Sequence, residues 1–209
     1  VGYDALNANT TGTRNTAVGQ AALRVNTTAN NNTAIGERSM DANTTGYDNS
    51  ALGAHALGTN TTGYGNLAVG YGAMFDNTTG FDNVGVGRNA LANNTTADWN
   101  TAVGSQALNA NTANDNTAVG FAAMTANTSG HSNTAMGKRA LQTNTTGAQN
   151  TSLGGSSMSA NTEGASNTAV GENALASNTT ASNNTAVGAA AGTSITTGAE
   201  NTLIGNQAG

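Results

Sequence analysis

An apolar residue followed directly by glycine recurs along the whole chain at an almost constant interval. The glycines of this pair are Gly2, Gly19, Gly36, Gly53, Gly70, Gly87, Gly104, Gly120, Gly137, Gly154, Gly171, Gly188 and Gly205. The interval between successive glycines is seventeen, except that the interval from Gly104 to Gly120 is sixteen. The repeating unit reads approximately N-T-A-V-G-x-x-A-L-x-x-N-T-T-G-x-x. A fixed period of this length predicts a repeat protein whose units stack on one another.

Residues at the same place in successive units form columns with distinct chemistry. The Val column stands directly before the glycine and runs from Val18 to Ile204. The Leu column stands four residues after the glycine and runs from Leu6 to Leu175. The variable x positions hold all the aromatic residues and every charged residue except Glu163. We therefore expect both apolar columns, with the alanines beside them, to form the interior, and the variable positions to face solvent.

The apolar residues favour strands over helices. They occur in short bursts, T-A-V and A-L, whereas an amphipathic helix needs apolar residues sustained at helical spacing. Asn, Gly and Thr are poor helix formers, while Val and Thr suit strands and Asn and Gly suit turns. The unit therefore predicts one coil of two or three short strands, with successive coils about 4.8 Å apart. The expected fold is all-β, a parallel β-solenoid (β-roll or β-helix) of about twelve coils.

Both ends of the chain fall inside a unit, at Val1-Gly2 and at Ala208-Gly209. Solenoid arrays carry atypical capping units at their ends, and neither end shows one. We expect residues 1–209 to be a single repeat array and an uncapped segment of a longer protein.

Two asparagine columns and a threonine column are the most regular polar features. The first Asn column consists of Asn15, Asn32, Asn49, Asn66, Asn83 and Asn100 and continues without exception to Asn201. The second Asn column runs from Asn9 to Asn178, after which Ile195 takes the position, and the Thr column runs unbroken from Thr10 to Thr196. We expect these residues at polar corners, where each amide donates to the next coil, accepts from the previous one and satisfies turn backbone.

Composition and charge exclude several classes of function. The 11 acidic and 6 basic residues are scattered, so no basic stripe exists to follow a nucleic acid backbone. No run approaches the roughly 20 apolar residues of a membrane span. There is no cysteine, and the two histidines, His55 and His131, stand several coils apart. We expect no enzyme activity, no catalytic residue, no metal site, no cofactor, no nucleic acid partner and no membrane insertion of this segment.

One local feature stands out among the variable positions. Tyr47, Tyr64 and Phe81 occupy one column in three consecutive coils, and Trp99 stands one position along in the next coil. We call these four residues the aromatic strip. Exposed rings one coil apart, with carboxylates beside them, could contact sugar rings or a protein partner. The alternative is that the rings stack on one another and stiffen the coils. Substituting the rings by serine distinguishes loss of attachment from loss of stability.

The interior of a single coil is small. Two large apolar side chains per coil, together with the small residues and the ladder hydrogen bonds, barely offset the conformational entropy lost when all the residues of that coil are ordered. Covering a second apolar face against identical chains would add the missing stabilisation. We therefore predict a homo-oligomer.

The motif Asn15-Thr16-Ala17-Val18-Gly19 resembles the head repeats of YadA-like trimeric autotransporter adhesins, and it is similar to repeats of phage and viral tail fibres. The resemblance covers essentially the whole chain. It implies a left-handed parallel β-roll, three chains side by side, and an attachment role outside the cell or on a virion. The usual head unit is shorter and reads N-S-V-A-I-G. No stalk, membrane anchor or autoprocessing domain is visible here.

The functional expectation is an extracellular fibrous attachment protein, an adhesin head or a tail-fibre shaft, with a structural and multivalent binding role. A host-surface glycan or protein would be its receptor. One alternative is an ice-binding solenoid, although the adjacent threonines of N-T-T would point to opposite faces of a strand. Another is a purely architectural filament. This filament could be glycosylated, since most N-T-T triplets match the N-x-S/T acceptor pattern.

Overall fold

The computed structural model describes residues Val1–Gly209 and contains strands and turns but no helix. The chain divides into two compact units, Val1–Ser105 and Gln106–Gly209. The strands of the first unit are β1 (Thr16–Val18), β2 (Thr33–Ile35), β3 (Ser50–Leu52), β4 (Leu67–Val69), β5 (Val84–Val86) and β6 (Thr101–Val103). Those of the second unit are β7 (Thr117–Val119), β8 (Thr134–Met136), β9 (Thr151–Leu153), β10 (Thr168–Val170), β11 (Thr185–Val187) and β12 (Thr202–Ile204).

Strands that follow one another in sequence pair in parallel within each unit. Their register places equivalent residues side by side, so that Ala17 pairs with Ala34 and Ala34 with Ala51. Backbone hydrogen bonds between coils continue into the turns, as from Met40 N to Ala56 O at 3.0 Å. The prediction of an all-β parallel β-solenoid with about twelve coils, one for each repeat of the sequence, is therefore confirmed.

Each coil contains one three-residue strand, not the two or three strands that we predicted. Left-handed backbone interrupts the rest of the coil, because the Leu column adopts φ values such as +50° at Leu57 and +53° at Met74. Two variable positions do the same, as at His55 (φ 60°) and Trp99 (φ 57°). A β-branched residue is a genuine outlier in this conformation. This explains why the Leu column contains Leu and Met but never Val or Ile.

The glycine after the Val column is required by both conformation and space. Gly36 has a φ of 140°, a value that L side chains rarely adopt. A Cβ atom there would lie 2.4 Å from the carbonyl oxygen of Gly53 in the next coil. The stacking distance of the coils therefore selects glycine at this corner.

The Val column faces outward, which corrects our expectation that it forms part of the interior. Side chains of a strand alternate between its two faces. In T-A-V the central alanine points inward and is buried at Ala34, Ala68 and Ala102, so the flanking residues point away from the interior. Leu52 is 48% exposed and Met136 is 46% exposed. The two outer positions of each strand therefore form an uncharged outer sheet face, with one apolar and one mostly threonine position per coil.

The interior consists of the Leu column, small alanines and the two Asn columns. Residues of the Leu column such as Leu23, Met74 and Leu141 are fully buried. The Asn columns are buried as well, so the polar corners that we expected belong to the interior. A buried amide is tolerated only when its hydrogen-bonding groups are satisfied. The stability of each coil therefore depends on the partners of its asparagines.

Candidate functional site

The first Asn column forms a continuous hydrogen-bonded ladder within the first unit. The backbone nitrogen of each Asn donates to the Oδ1 atom of the Asn in the preceding coil, as from Asn49 N to Asn32 Oδ1 at 3.0 Å. From Asn15 to Asn83 each Nδ2 atom also donates to a turn carbonyl of the next coil, as from Asn32 to Gly46 O at 2.8 Å. The structure thus brings together all six residues of the predicted ladder, Asn15, Asn32, Asn49, Asn66, Asn83 and Asn100.

The second Asn column is an amide-to-amide ladder. The Nδ2 atom of Asn60 donates to Asn43 Oδ1 at 2.8 Å, and the Nδ2 atom of Asn77 donates to Asn60 Oδ1 at 2.8 Å. From Asn26 to Asn77 each side chain therefore donates to the preceding coil and accepts from the following one, the reverse of the direction that we expected. The Thr column runs beside it, with Thr61 Oγ1 donating to Thr78 O at 3.0 Å.

The second ladder is incomplete at two buried atoms. Asn94 Oδ1 and Asn178 Oδ1 are buried without a hydrogen-bond partner. For Asn178 the cause is the residue in the next coil, because Ile195 carries no amide to donate. An unsatisfied buried acceptor costs roughly 1–3 kcal/mol. The replacement of asparagine by Ile195 in the second Asn column therefore creates a local defect of the fold.

Burial of the second Asn column argues against glycosylation of the N-T-T triplets. The acceptor amides of Asn43, Asn60 and Asn144 are fully buried, and each Nδ2 atom already donates to the preceding coil. A glycan on Nδ2 would have to occupy the interior of the coil. The acceptor pattern in these triplets is therefore a by-product of the ladder.

The aromatic strip is a stack of rings on the first unit. The rings of Tyr47 and Tyr64 lie 4.9 Å apart with planes 2° from parallel, and those of Tyr64 and Phe81 lie 4.9 Å apart with planes 3° from parallel. The indole of Trp99 stands 5.3 Å from Phe81 at an angle of 88°. The structure thus brings the four predicted residues together. Because each inner ring covers its neighbour's face, Tyr64 and Phe81 are half-buried, whereas Tyr47 and Trp99 are exposed.

Trp99 ends the stack because of its place in the coil. The column of Tyr47, Tyr64 and Phe81 continues with Asp98, whose Oδ1 accepts from Phe81 N at 2.9 Å. Trp99 belongs to the next column, where the left-handed backbone turns its side chain away from the parallel stack. A perpendicular ring is a favourable arrangement at the end of such a stack. The 53% exposure of Trp99 makes its indole the most accessible ring of the strip.

Carboxylates border the strip on the side of the left-handed column. A Cβ atom on Gly65 would lie 2.3 Å from Asp82 Oδ1, so the Asp82 carboxylate lies over the backbone beside Tyr64. Desolvation raises the pKa of Tyr64, and the charges of Tyr47, Asp82 and Asp98 raise it further. Tyr64 therefore remains a neutral hydrogen-bonding phenol over a wider pH range than a free tyrosine.

A second group of rings lies on other turns of the same unit, and the sequence did not identify it. His55 stands edge-on to Tyr71 at 5.9 Å and to Phe75 at 6.0 Å. His131, the only other histidine, stands several coils from His55, so the histidines by themselves indicate no site here. The available signal was the presence of Tyr71 and Phe75 in the coil after His55, but only left-handed backbone at His55 turns its ring toward them.

No group of three or more His, Asp or Glu side chains in the structure could hold a metal ion. No helix that could cross a membrane is present. Comparisons with protein-family models, with curated proteins and with solved structures found no match for this chain. The fold itself classifies the protein as a parallel β-solenoid repeat protein.

Proposed function

We propose that this chain is part of an extracellular attachment fibre in which three copies pack side by side through their outer sheet faces. The observation that carries the proposal is the outward Val column. It repeats an apolar side chain on every strand, and no charged residue occupies either outward position of any strand. The resemblance to trimeric adhesin heads supports the number of three chains and the location outside the cell or on a virion.

A second copy of the chain is the occupant that fits this face best. The face repeats one apolar and one mostly threonine position per coil, at the spacing of the β-ladder. Only a surface with the same spacing can match the outer sheet face coil by coil. A second copy of the chain has this spacing because it has the same sequence. Association would bury the exposed Leu52, Val103 and Met136. Their burial would contribute about 25 cal/mol per Å² of apolar surface removed from water.

The small interior gives this association a physical reason. With the Val column outside, each coil buries a single large apolar side chain together with alanines and hydrogen-bonded asparagines. The interior of a coil is therefore smaller than the sequence indicated, and burial against identical chains would contribute more to stability. The asparagine ladders define a unique register but contribute modestly per bond, typically about 1 kcal/mol.

The aromatic strip is the proposed contact surface for a receptor. Its stacked rings stiffen one another, and the exposed faces at its two ends, Tyr47 and Trp99, remain available for a sugar ring or a protein side chain. A fibre of three chains presents three such strips, so weak individual contacts would combine by multivalency.

Sedimentation and light scattering test the assembly. We expect a species of three times the 20.5 kDa chain mass that stays assembled on dilution. The double variant Leu52→Lys, Met136→Lys places a charge on the outer face of each unit and should yield monomers. The matched control is Thr45→Lys, Thr146→Lys, at exposed turn positions, which should remain trimeric. A stable folded monomer of the unaltered chain, or an unchanged trimer in the first variant, would contradict the proposal.

Attachment is tested separately on arrays of glycans and host-surface proteins. Trp99→Ser should abolish binding while the fold is retained. Phe121→Ser is the control, because Phe121 is an exposed ring in the second unit that does not belong to the strip. Unchanged binding by Trp99→Ser together with lower stability would assign the strip a purely structural role.

The second candidate function is ice binding, and the feature that favours it is a regular array of threonines on the outer sheet face. In the second unit the first residue of every strand is an outward threonine, Thr117, Thr134, Thr151, Thr168, Thr185 and Thr202. These threonines, and not the N-T-T pairs, form the regular array. The irregular neighbours Met136 and Leu153 make the face less flat than an ice surface. Measurement of thermal hysteresis decides between the two functions, since an attachment fibre has none.

A further inference from the structure

A groove of about 270 Å³ opens on the first unit, where the turns that follow β2, β3 and β4 lie side by side. The residues of interest in its lining are Arg38, Asp41, His55, Gly58, Thr59 and Phe75. The groove lies on different turns from the aromatic strip. It is smaller than the roughly 300–1,000 Å³ of sites for drug-sized ligands, so it fits a single ring.

Gly58 creates the groove by lacking a side chain. In the other coils this position carries Asn7, Arg24, Asp41, Phe75, Ala92, Asn109, Thr125, Gln142, Ser159, Ala176 and Thr193. The backbone of Gly58 does not adopt the left-handed φ that favours glycine. A Cβ atom there would lie 2.9 Å from Phe75 Cε2, so the ring leans over the space that the missing side chain leaves. Gly58 therefore keeps the groove open because it has no side chain, and its backbone conformation does not require glycine.

Aromatic rings form the apolar part of the groove. His55 meets the ring of Phe75 at 6.0 Å with planes at 76°, and it meets Tyr71 at a similar angle. Thr59 Oγ1 donates to Phe75 O at 2.8 Å, which ties the turn carrying the ring to the coil below. Phe75 remains 38% exposed. The contacts fix the ring while leaving part of its surface open to a ligand.

The groove carries one positive charge, that of Arg38, which no carboxylate neutralises. Asp41 pairs with Arg24, with Nε and Oδ1 2.6 Å apart, so its charge is compensated outside the groove. Arg38 takes part in no ion pair. Its guanidinium is therefore available to an anion, and its planar fork matches a carboxylate in bidentate geometry.

We propose that this groove binds a single pyranose ring that carries a carboxylate, as in a hexuronate. The C–H face of the sugar would pack against Phe75 and His55, and its carboxylate would pair with Arg38. Its hydroxyl groups would hydrogen-bond to the carboxylate of Asp41 and to the oxygen of Thr59. An aromatic acid would satisfy the ring and Arg38 but would leave the polar wall without partners, which disfavours it. The site does not depend on assembly of the fibre.

Calorimetric titration of the full chain with methyl glucuronide, methyl glucoside and benzoate tests the site. Methyl glucuronide should bind, and the other two should bind at least tenfold more weakly. Equal or tighter binding of methyl glucoside or benzoate, or no detectable binding of methyl glucuronide at millimolar concentration, would overturn the proposal.

Two variants locate the binding in the groove. Gly58→Ser fills the space with a side chain that the fold accepts at the same position of Ser159, and binding should be lost. Arg38→Gln should weaken glucuronide binding by about tenfold or more, as expected for loss of a charged hydrogen bond. The controls are Ala176→Ser and Arg139→Gln, at the equivalent positions of the second unit. Binding that survives Gly58→Ser, or that falls equally in Arg139→Gln, would refute the assignment.

Discussion

Asn49 Oδ1 accepts two hydrogen bonds from Asn66 in the next coil, one from the backbone nitrogen at 3.0 Å and one from Nδ2 at 3.1 Å. Both residues are buried. Each asparagine of the first Asn column therefore satisfies hydrogen-bonding groups of its neighbour. In this interior these bonds take the place that apolar contacts have in an ordinary core. In this fold the polar interior specifies the stacking register, because a shift by one residue would leave every amide without its partner.

Asn66→Ala should lower the free energy of unfolding by roughly 1–3 kcal/mol, because it leaves Asn83 N buried without a partner and removes one of the two hydrogen bonds to Gly80 O. Denaturant titration followed by circular dichroism measures the change. Asn201→Ala is the control, since Asn201 is the last member of the column and should lose less than about 1 kcal/mol. Equal losses in the two variants would show that the ladder does not carry the stability.

Ile195→Asn should stabilise the protein, although it replaces an apolar residue by a polar one. The new amide would donate to Asn178 Oδ1, which is buried without a partner. We expect a gain of about 1 kcal/mol after the loss of apolar contact at the half-buried Ile195. Ile195→Val retains the apolar character and should give no gain. A loss of stability in Ile195→Asn would argue against the extension of the ladder to this coil.

Leu91→Ile should destabilise the protein far more than Leu91→Met. Leu91 is fully buried and has a φ of 51°. Isoleucine is branched at Cβ, and a β-branched residue is a genuine outlier in left-handed backbone, so it adds a conformational cost to any repacking. Methionine occupies the same column at Met74 and should cost less than about 1.5 kcal/mol. Thermal unfolding of the two variants measures the difference, and equal losses would refute the conformational argument.

Alkaline pH should weaken the aromatic stack. Burial raises the pKa of Tyr64 above its ordinary value of 10.0. A group whose folded-state pKa lies above its unfolded-state pKa contributes stability that is complete below the unfolded value. This contribution is lost as the pH rises through the folded value, where the phenol must ionise in the stack.

Two measurements check the effect of alkaline pH. In absorbance titration of the folded protein, one of the four tyrosines should ionise late, and Tyr64→Phe should remove that late phase. The decline in stability above pH 10 should be shallower in the same variant. Simultaneous ionisation of all four tyrosines would contradict the predicted shift.

The sequence by itself determined the period, the columns and therefore the fold class. Equivalent residues must become axial neighbours once the unit length matches one coil, so the ladder from Asn15 to Asn100 and the stack of Tyr47, Tyr64 and Phe81 followed directly. The defect at Asn178 was visible as well, because Ile195 interrupts an otherwise regular column. These features depend only on which residues are stacked.

Only the tertiary structure decided which side of the coil each column faces. Ala and Val are both apolar, so T-A-V does not reveal whether the central or the outer residues point inward, and a strand of three residues is too short to establish an alternation. The left-handed conformations of the Leu column close the coil tightly. This closure leaves room for Ala34 on the inner face of the strand and places Ile35 on the outer face. The groove beside Phe75 likewise depends on how the turns around Gly58 meet in space, which the order of residues does not encode locally.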